Sequence, residues 1–318
     1  MAYVDPTAVE SYGTNDAQAF AYFIAGLHAG RAQRVEAAAD LYTSAIRLDS
    51  QYHKALNNLG LLWLQRGAEA FVEGTDDIRT RRLLEDAWGL FARARVIQTD
   101  VAEYPYNLAT ASSYLGRLEL RLGDLAKARA RQGESIAAYN EALTRLGGEV
   151  TDEHDDIRRR VRRWWRRHDE GRDDHRAERQ AFQVSVHFAL ATSWALRRQI
   201  DDPNSAPTPE ESAALAAAQT IASKSGVTSH PRMEYNLICY YVATKDPKDL
   251  ELAVSLLRTL RAVYPQIPGI VASDPDLAGI PEIAALFSLG QALPPLPQPR
   301  PATRGPAKDD DPDRDEPT

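Results

Sequence analysis

The stretch that decides the fold is AYFIAGLHAGRAQRVEAAADLYTSAIRLDS, residues 21–50. Its first half carries the pattern Tyr22-x2-Ala25-Gly26-x2-Ala29, and its second half carries Ala38-x3-Tyr42-x2-Ala45. In both halves the apolar and small residues recur every three or four positions, which predicts two amphipathic helices. Gly26 and Ala38 are small enough to let these helices cross closely, while the larger residues wedge between neighbouring pairs.

The pattern returns about 34 residues later, so the chain is predicted to contain internal repeats. The second copy reads Leu56-x2-Leu59-Gly60-x2-Trp63 and then Ala87-x3-Phe91-x2-Ala94, with an insertion near residues 67–80 between them. A third copy reads Asn107-Leu108-Ala109 and then Ala128-x3-Gln132-x2-Ser135. For this copy a competing register through Leu115, Gly116 and Gly123 stays open.

Two further copies follow a charged insertion. The fourth reads Leu190-Ala191-x2-Trp194 and then Ala214-x3-Ala218-x2-Ile221. The fifth reads Tyr235-Asn236-Leu237-Ile238-x2-Tyr241, followed by Ala253-x3-Leu257 and Pro265. Because each copy would bury its apolar face against the next, the last copy needs a cap, which we place at residues 268–292.

Together these motifs resemble the tetratricopeptide repeat, and the cap is similar to the one that closes bacterial arrays. The resemblance implies an all-α fold, a solenoid of antiparallel helix pairs wound into a right-handed superhelix. The alternative is a helical bundle without repeats. The predicted division is an N-terminal extension at 1–18, repeat units at about 19–52, 53–101, 102–142, 184–228 and 231–267, a charged helical insertion at 143–183, the cap at 268–292 and a tail at 293–318.

Composition excludes several other classes of protein. The chain has 318 residues, one cysteine and a formal net charge of -7, so it is no disulfide scaffold and not a general nucleic-acid binder. No apolar run approaches the roughly 20 residues that span a bilayer, and no secretory signal is visible at the start, so we expect a cytoplasmic protein. Residues 293–318 are rich in proline and aspartate, and we predict a disordered tail there.

The resemblance also indicates where a partner would bind. In this family an asparagine before the leucine of the first helix often faces the inner groove, and Asn58, Asn107 and Asn236 match that position. An amide offers a donor and an acceptor, which suits the backbone of an extended peptide. The alternative is that these amides only bridge neighbouring helices. Further candidate contacts are one cation, Lys54, and the apolar side chains of Phe20, Phe23 and Leu27, unless residues 1–15 cover the two phenylalanines.

The insertion offers a second candidate surface. It holds seven arginines within ten residues, at 158–167, together with Trp164 and Trp165. Arg159, Arg163 and Arg166 are the candidate contacts to nucleic acid or to an acidic partner. Acidic residues on both flanks balance these charges, so a salt-bridged amphipathic helix that docks a tryptophan on the array is the simpler interpretation.

Signals for catalysis are nearly absent, so we predict a non-enzymatic protein without cofactor or metal that binds a protein or peptide. The sequence lacks the glycine-rich phosphate loop, the nucleophile elbow and the zinc-binding helix motif. One cluster, from His168 to His175, could hold a metal ion, although a solvated turn explains it better. Cys239 follows Ile238 on a predicted packed helix and is expected to be a buried thiol.

Overall fold

The computed structural model describes residues 13–74, 76–147, 172–202, 204–225 and 230–264, and then 267–272, 274, 277 and 280–288. All regular structure in these ranges is helical, without a strand, so the predicted all-α class is confirmed. Most of the charged insertion, the beginning of the N-terminal extension and the predicted disordered tail lie outside the described residues.

Apart from residues 148–171, short connections join the helices of the described ranges. In chain order they are α1 (Ala17–Arg31), α2 (Val35–Leu48), α3 (His53–Glu73), α4 (Asp77–Ile97), α5 (Glu103–Arg121), α6 (Leu125–Gly147), α7 (Arg172–Asp201), α8 (Pro209–Ser225), α9 (Pro231–Thr244), α10 (Pro247–Val263), α11 (Ile267–Ala272) and α12 (Pro281–Ser288).

Local chemistry fixes several helix ends. Asp16 caps α1, because its side chain accepts hydrogen bonds from the backbone N–H groups of Gln18 and Ala19. Asp76 caps α4 in the same way through the N–H of Arg79. Helix α3 ends at Gly74, whose φ of +64° lies in the left-handed region that glycine adopts without strain.

Consecutive helices pack as antiparallel pairs, as the pair α3 and α4 shows. A Cβ atom added at Gly60 would lie 2.7 Å from the ring of Phe91, and one added at Gly67 would lie 2.6 Å from Leu84. Residue numbers rise along α3 while those of its contacts in α4 fall, so the two helices are antiparallel. The pair α1 and α2 crosses at Gly26, where an added Cβ atom would lie 2.6 Å from the ring of Tyr42, so the predicted role of this glycine is confirmed.

The second and third pairs are longer than the first. Helices α1 and α2 have 15 and 14 residues, whereas α3 and α4 have 21 each. The predicted insertion near residues 67–80 is thus mostly helix, which extends both partners of the pair beyond the first hairpin. Residues 70–74 and 76–80 lie at the end of this extension, near the tip of the second hairpin.

In the third pair, two positions of the second helix face α5. Gly116 meets Gln132 near the turn, and Thr110 contacts Tyr139 about two turns farther from it, with 3.2 Å between the two hydroxyl oxygens. By its place along the hairpin, Tyr139 corresponds to Phe91. Gln132 follows Gly116 by sixteen residues, as Tyr42 follows Gly26, so the predicted stretch Ala128-x3-Gln132-x2-Ser135 keeps the spacing of the first pair in the register through Leu115 and Gly116.

The first helices of neighbouring pairs lie side by side. Between α3 and α5, Nδ1 of His53 lies 2.6 Å from the hydroxyl oxygen of Tyr104, and Asn107 donates to Asn57 at 2.8 Å. Since both residue numbers rise together, these two helices are parallel. Helix α9 packs against α7 in the same orientation, since Asn236 donates to the carbonyl of Ser185 at 2.8 Å and, farther along both helices, Gln199 donates to the carbonyl of Ala243.

A buried ion pair joins α7, α8 and α9. Nε of Arg198 lies 3.0 Å from Oε2 of Glu211, and both side chains are almost fully buried, with exposed fractions of 6% and 0%. The Arg198 guanidinium also donates to the carbonyl of Ser205 at 2.9 Å, and the Tyr240 hydroxyl donates to Oε1 of Glu211 at 3.2 Å. Burial, reinforced by the Glu211 carboxylate, raises the pKa of this tyrosine.

Helices α6 and α7 bring the two ends of the charged insertion together. They pack antiparallel, with the hydroxyl oxygens of Ser135 and Ser193 3.0 Å apart and Arg129 paired with Asp201. Near the opposite ends, the Arg179 guanidinium donates to the carbonyl of Leu146. The last turn of α6 therefore lies beside α7 at Arg179, about two turns after α7 begins at residue 172.

Candidate partner-binding surface

One face of α3 carries most of the predicted contacts. Lys54, Asn58, Leu61 and Gln65 follow one another at helical spacing, so they lie on the face turned away from Gly60 and hence from α4. Lys54 and Asn58 are half-buried, whereas Leu61 and Gln65 are exposed. This face presents a cation, an amide, an aliphatic group and a second amide along one helix.

A row of amides crosses from this face to α5. Asn57 donates to Oδ1 of Asn58 at 3.5 Å and accepts a hydrogen bond from Nδ2 of Asn107. Asn58 also reaches back to the second helix of the first pair. Burial raises the pKa of the Tyr42 hydroxyl, and a hydrogen bond from the Asn58 amide opposes that rise.

Asn236 bridges three first helices. Its Nδ2 donates to the carbonyl of Ser185 in α7 and to the hydroxyl of Tyr106 in α5, at 2.8 and 3.2 Å. Tyr106 in turn packs edge-on against the ring of Phe182, with 5.3 Å between the ring centres. Helix α9 thus contacts α5 as well as α7, and side chains fill the space between them.

The amide donors therefore serve helix bridging, which is the alternative stated for these residues. The carbonyl ends differ, because Oδ1 of Asn107 and Oδ1 of Asn236 accept no hydrogen bond within the described part of the chain. A fixed carbonyl can accept from the N–H of a bound backbone. The bridges hold each amide in one orientation, so the acceptor would be positioned before a ligand arrives.

The apolar candidates on α1 differ in exposure. Phe23 is only 3% exposed, and its ring centre lies 5.0 Å from that of Tyr52 and 5.8 Å from that of Tyr42. Phe23 is therefore part of the core, and its burial argues against the predicted contact with a partner. Phe20 and Leu27 are half-buried on the same helix, and their role in binding stays a prediction.

Sequence reasoning missed two residues of this surface. Asn57 connects the amides of α3 and α5, although only Asn58 was singled out from the doublet. Leu61 is 41% exposed, and the repeat pattern predicts no role for it. A helical projection from Lys54 through Asn58 would have placed Leu61 on the same face.

Cys239 lies in the packed part of the chain rather than on this surface. It is half-buried, and its Sγ lies 3.8 Å from Oδ2 of Asp274. The same carboxylate oxygen accepts a hydrogen bond from the Tyr235 hydroxyl at 2.7 Å. Burial, with the Asp274 charge beside it, raises the pKa of Tyr235 well above its ordinary value.

The structure describes only part of the other predicted sites. Arg159, Arg163 and Arg166 lie outside the described residues, and so do the side chains of the cluster at 168–175. Within the described residues no group of three or more His, Cys, Asp or Glu side chains could hold a metal ion. None of the helices in the described ranges has both the length and the apolar character needed to cross a membrane.

Comparison of the chain with protein-family models and with curated proteins gave no match. The surface on α3 and α5 is therefore interpreted from its own chemistry.

Proposed function

We propose that the chain is a non-enzymatic scaffold, a tetratricopeptide-like solenoid whose first helices α1, α3 and α5 bind an extended peptide or a partner helix. The observation that carries the proposal is the amide row from Asn58 to Asn107, which is held in place by Asn57. Antiparallel helix pairs with parallel first helices support the repeat assignment, because that arrangement is how such arrays are built.

The chemistry of the surface favours a peptide over a small molecule. Oδ1 of Asn107 can accept one backbone N–H, Leu61 offers an exposed apolar contact, and the ammonium of Lys54 suits a carboxylate. These groups follow the length of a helix rather than converging on one point. Because α9 covers α5 at Asn236, the proposed ligand lies towards the N-terminal pairs.

Changing Asn58 and Asn107 together to alanine should weaken peptide binding. The probe is a peptide selected on the full chain from a random display library, and its Kd is measured by titration calorimetry. The lost contact at Asn107 should raise Kd about threefold or more, since a net hydrogen bond contributes about 0.5–1.5 kcal/mol. Leu61→Asp should weaken the same peptide.

The matched control is Asn140→Ala, which removes an exposed amide from the outer side of α6. It should leave Kd unchanged. A selected peptide that binds the Asn58→Ala, Asn107→Ala variant as tightly as the original chain would contradict the proposed site, provided that the helical circular dichroism of the variant is intact.

A further inference from the structure

The chain enters the array across the N-terminal end of α3. The Thr14 hydroxyl donates to Oδ2 of Asp49 at 2.5 Å, in the connection before α3, and Thr14 is only 5% exposed. At Gly13, with a φ of +83°, an added Cβ atom would collide with the imidazole of His53. The backbone is therefore held in place as far as residue 13, where it lies against the first residue of α3.

This point lies at the seam between α3 and α5. Nδ1 of His53 lies 2.6 Å from the hydroxyl oxygen of Tyr104, and the next contact along both helices is the bond from Asn107 to Asn57. The two contacts are one helical turn apart, about 5.4 Å. The residue before Gly13 thus starts about one turn from Oδ1 of Asn107, which accepts no hydrogen bond within the described ranges.

The charge beside this seam suits an acidic ligand. Lys54 lies one turn before Asn58 on the face of α3 described above. Burial raises the pKa of the Tyr42 hydroxyl, and a hydrogen bond from Asn58 and the charge of Arg31 oppose that rise, so Arg31 also lies near Asn58. Glu103 at the start of α5 adds one carboxylate. Two cations against one acid leave this face net positive.

We propose that residues 1–12, MAYVDPTAVESY, bind along this face of α3 and α5 and compete there with a partner peptide. The inference rests on the proposed function, because the segment occupies the same site. It contains the carboxylates of Asp5 and Glu10 and no Lys, Arg or His, so its charge complements the face. Twelve extended residues reach about 40 Å, whereas the 21 residues of α3 extend over about 30 Å.

The anchored end also sets the register. Leu61 follows His53 by eight residues, about 12 Å along the helix axis, and an extended chain covers that distance in about four residues. Counted back from Gly13, Val9 therefore comes opposite Leu61. At half that distance, the backbone N–H near Ser11 meets the carbonyl of the Asn107 side chain.

The tether makes the segment a regulator of the site. A short flexible tether gives an effective concentration of about 1 mM, so the segment fills the site when its own Kd is roughly 100 µM or lower. A partner peptide must then displace it, which raises the apparent Kd of that peptide.

The first test replaces residues 2–12 with a Gly-Ser repeat of the same length in the full chain. Gly13 and Thr14 stay, so the anchored end should be intact and the helical circular dichroism unchanged. The peptide selected for the proposed site should bind this variant at least about fivefold more tightly than the original chain. The matched control replaces residues 308–318, which are equally long and also acidic, and should leave Kd unchanged.

The second test uses the segment itself as the probe. A fluorescein-labelled peptide of residues 1–12 should bind the Gly-Ser variant with a Kd of roughly 100 µM or lower, measured by fluorescence anisotropy. It should bind the original chain at least about fivefold more weakly, because the tethered copy occupies the site. Changing Asp5 and Glu10 of the peptide to lysine should weaken its binding.

A disulfide tests the register in the original architecture. Cys239 is the single cysteine of the chain, so Val9→Cys with Leu61→Cys in a Cys239→Ser background carries two thiols. Mild oxidation should join them within one chain in high yield.

The matched control places the second thiol at Val96, on another side of the same anchor. Val96 is 70% exposed and lies one turn after Arg93, which donates to the carbonyl of Ser50. A segment that does not bind α3 would reach Val96→Cys as easily as Leu61→Cys. Equal disulfide yields would therefore overturn the proposal.

The remaining outcomes separate this inference from the proposed function. If the selected peptide binds the Gly-Ser variant no more tightly, or the 308–318 replacement gives the gain instead, the regulatory role of residues 1–12 is wrong and the peptide site stands. If the Asn58→Ala, Asn107→Ala variant binds the selected peptide normally, the site itself is wrong, and this inference fails with it.

Discussion

Replacing Arg198 with methionine is expected to lower the free energy of unfolding by about 3–5 kcal/mol. The loss is large because Glu211, which is fully buried, would keep its charge without its partner. Methionine has a similar length, so the packing of α7 against α8 should change little. Chemical denaturation followed by circular dichroism at 222 nm gives the difference from the original protein.

Arg197→Met is the matched control for this change. Arg197 is the preceding residue and pairs with Asp201 at 3.0 Å, but both side chains are partly exposed to water. Exposed pairs contribute at most about 1 kcal/mol, so the control should lose little stability. The double variant Arg198→Met, Glu211→Met should recover much of the loss, since it leaves no unpaired charge. Equal losses for Arg197→Met and Arg198→Met would contradict the buried-pair interpretation.

Gly60→Ala is expected to destabilise the protein by about 1–3 kcal/mol, although alanine is the better helix former. The added methyl group would lie 2.7 Å from Cε1 of Phe91 and 3.0 Å from two further ring atoms. Because this ring is fully buried, it cannot swing aside, and α3 must move away from α4. Thermal unfolding should show the loss directly.

Gly89→Ala tests the same substitution where space is available. Gly89 also lies within a helix, but an added methyl group would meet nothing within 4 Å. Here alanine should stabilise α4 by about 0.5–1 kcal/mol, because it reduces the entropy of the unfolded chain. Opposite signs for the two changes would show that close crossing, rather than helix propensity, determines the glycine at position 60. If Gly60→Ala stabilised the protein, this explanation of the glycine at position 60 would be wrong.

The sequence was sufficient to predict where the two helices cross in the first two pairs, because a glycine and an aromatic residue mark each crossing. Gly26 with Tyr42 and Gly60 with Phe91 both belong to the patterns that recur in the sequence. The third pair was ambiguous for a physical reason. Ser135 and Tyr139 lie seven residues after Ala128 and Gln132, and seven residues are almost two full turns. Both sets therefore occupy one face, and periodicity alone cannot choose between them.

The candidate surface was predictable only where it depends on a single helix. Asn58 and Lys54 follow from helical spacing, and so would Leu61. The bond from Asn236 to Tyr106 depends instead on how far α9 curves back towards α5, which is a property of packing across several pairs. The burial of Phe23 likewise depends on Tyr52, which belongs to the next connection along the chain.

The meeting of the two ends of the charged insertion has a practical consequence. Because Arg179 reaches the carbonyl of Leu146, the last turn of α6 lies beside α7 at a point about two turns after residue 172. A short glycine-rich linker could therefore replace residues 148–171 while α6 and α7 keep their register, and another domain could be grafted at the same place. For protein engineering, the helical array is a scaffold in which the segment between α6 and α7 can be exchanged while the helices stay unchanged.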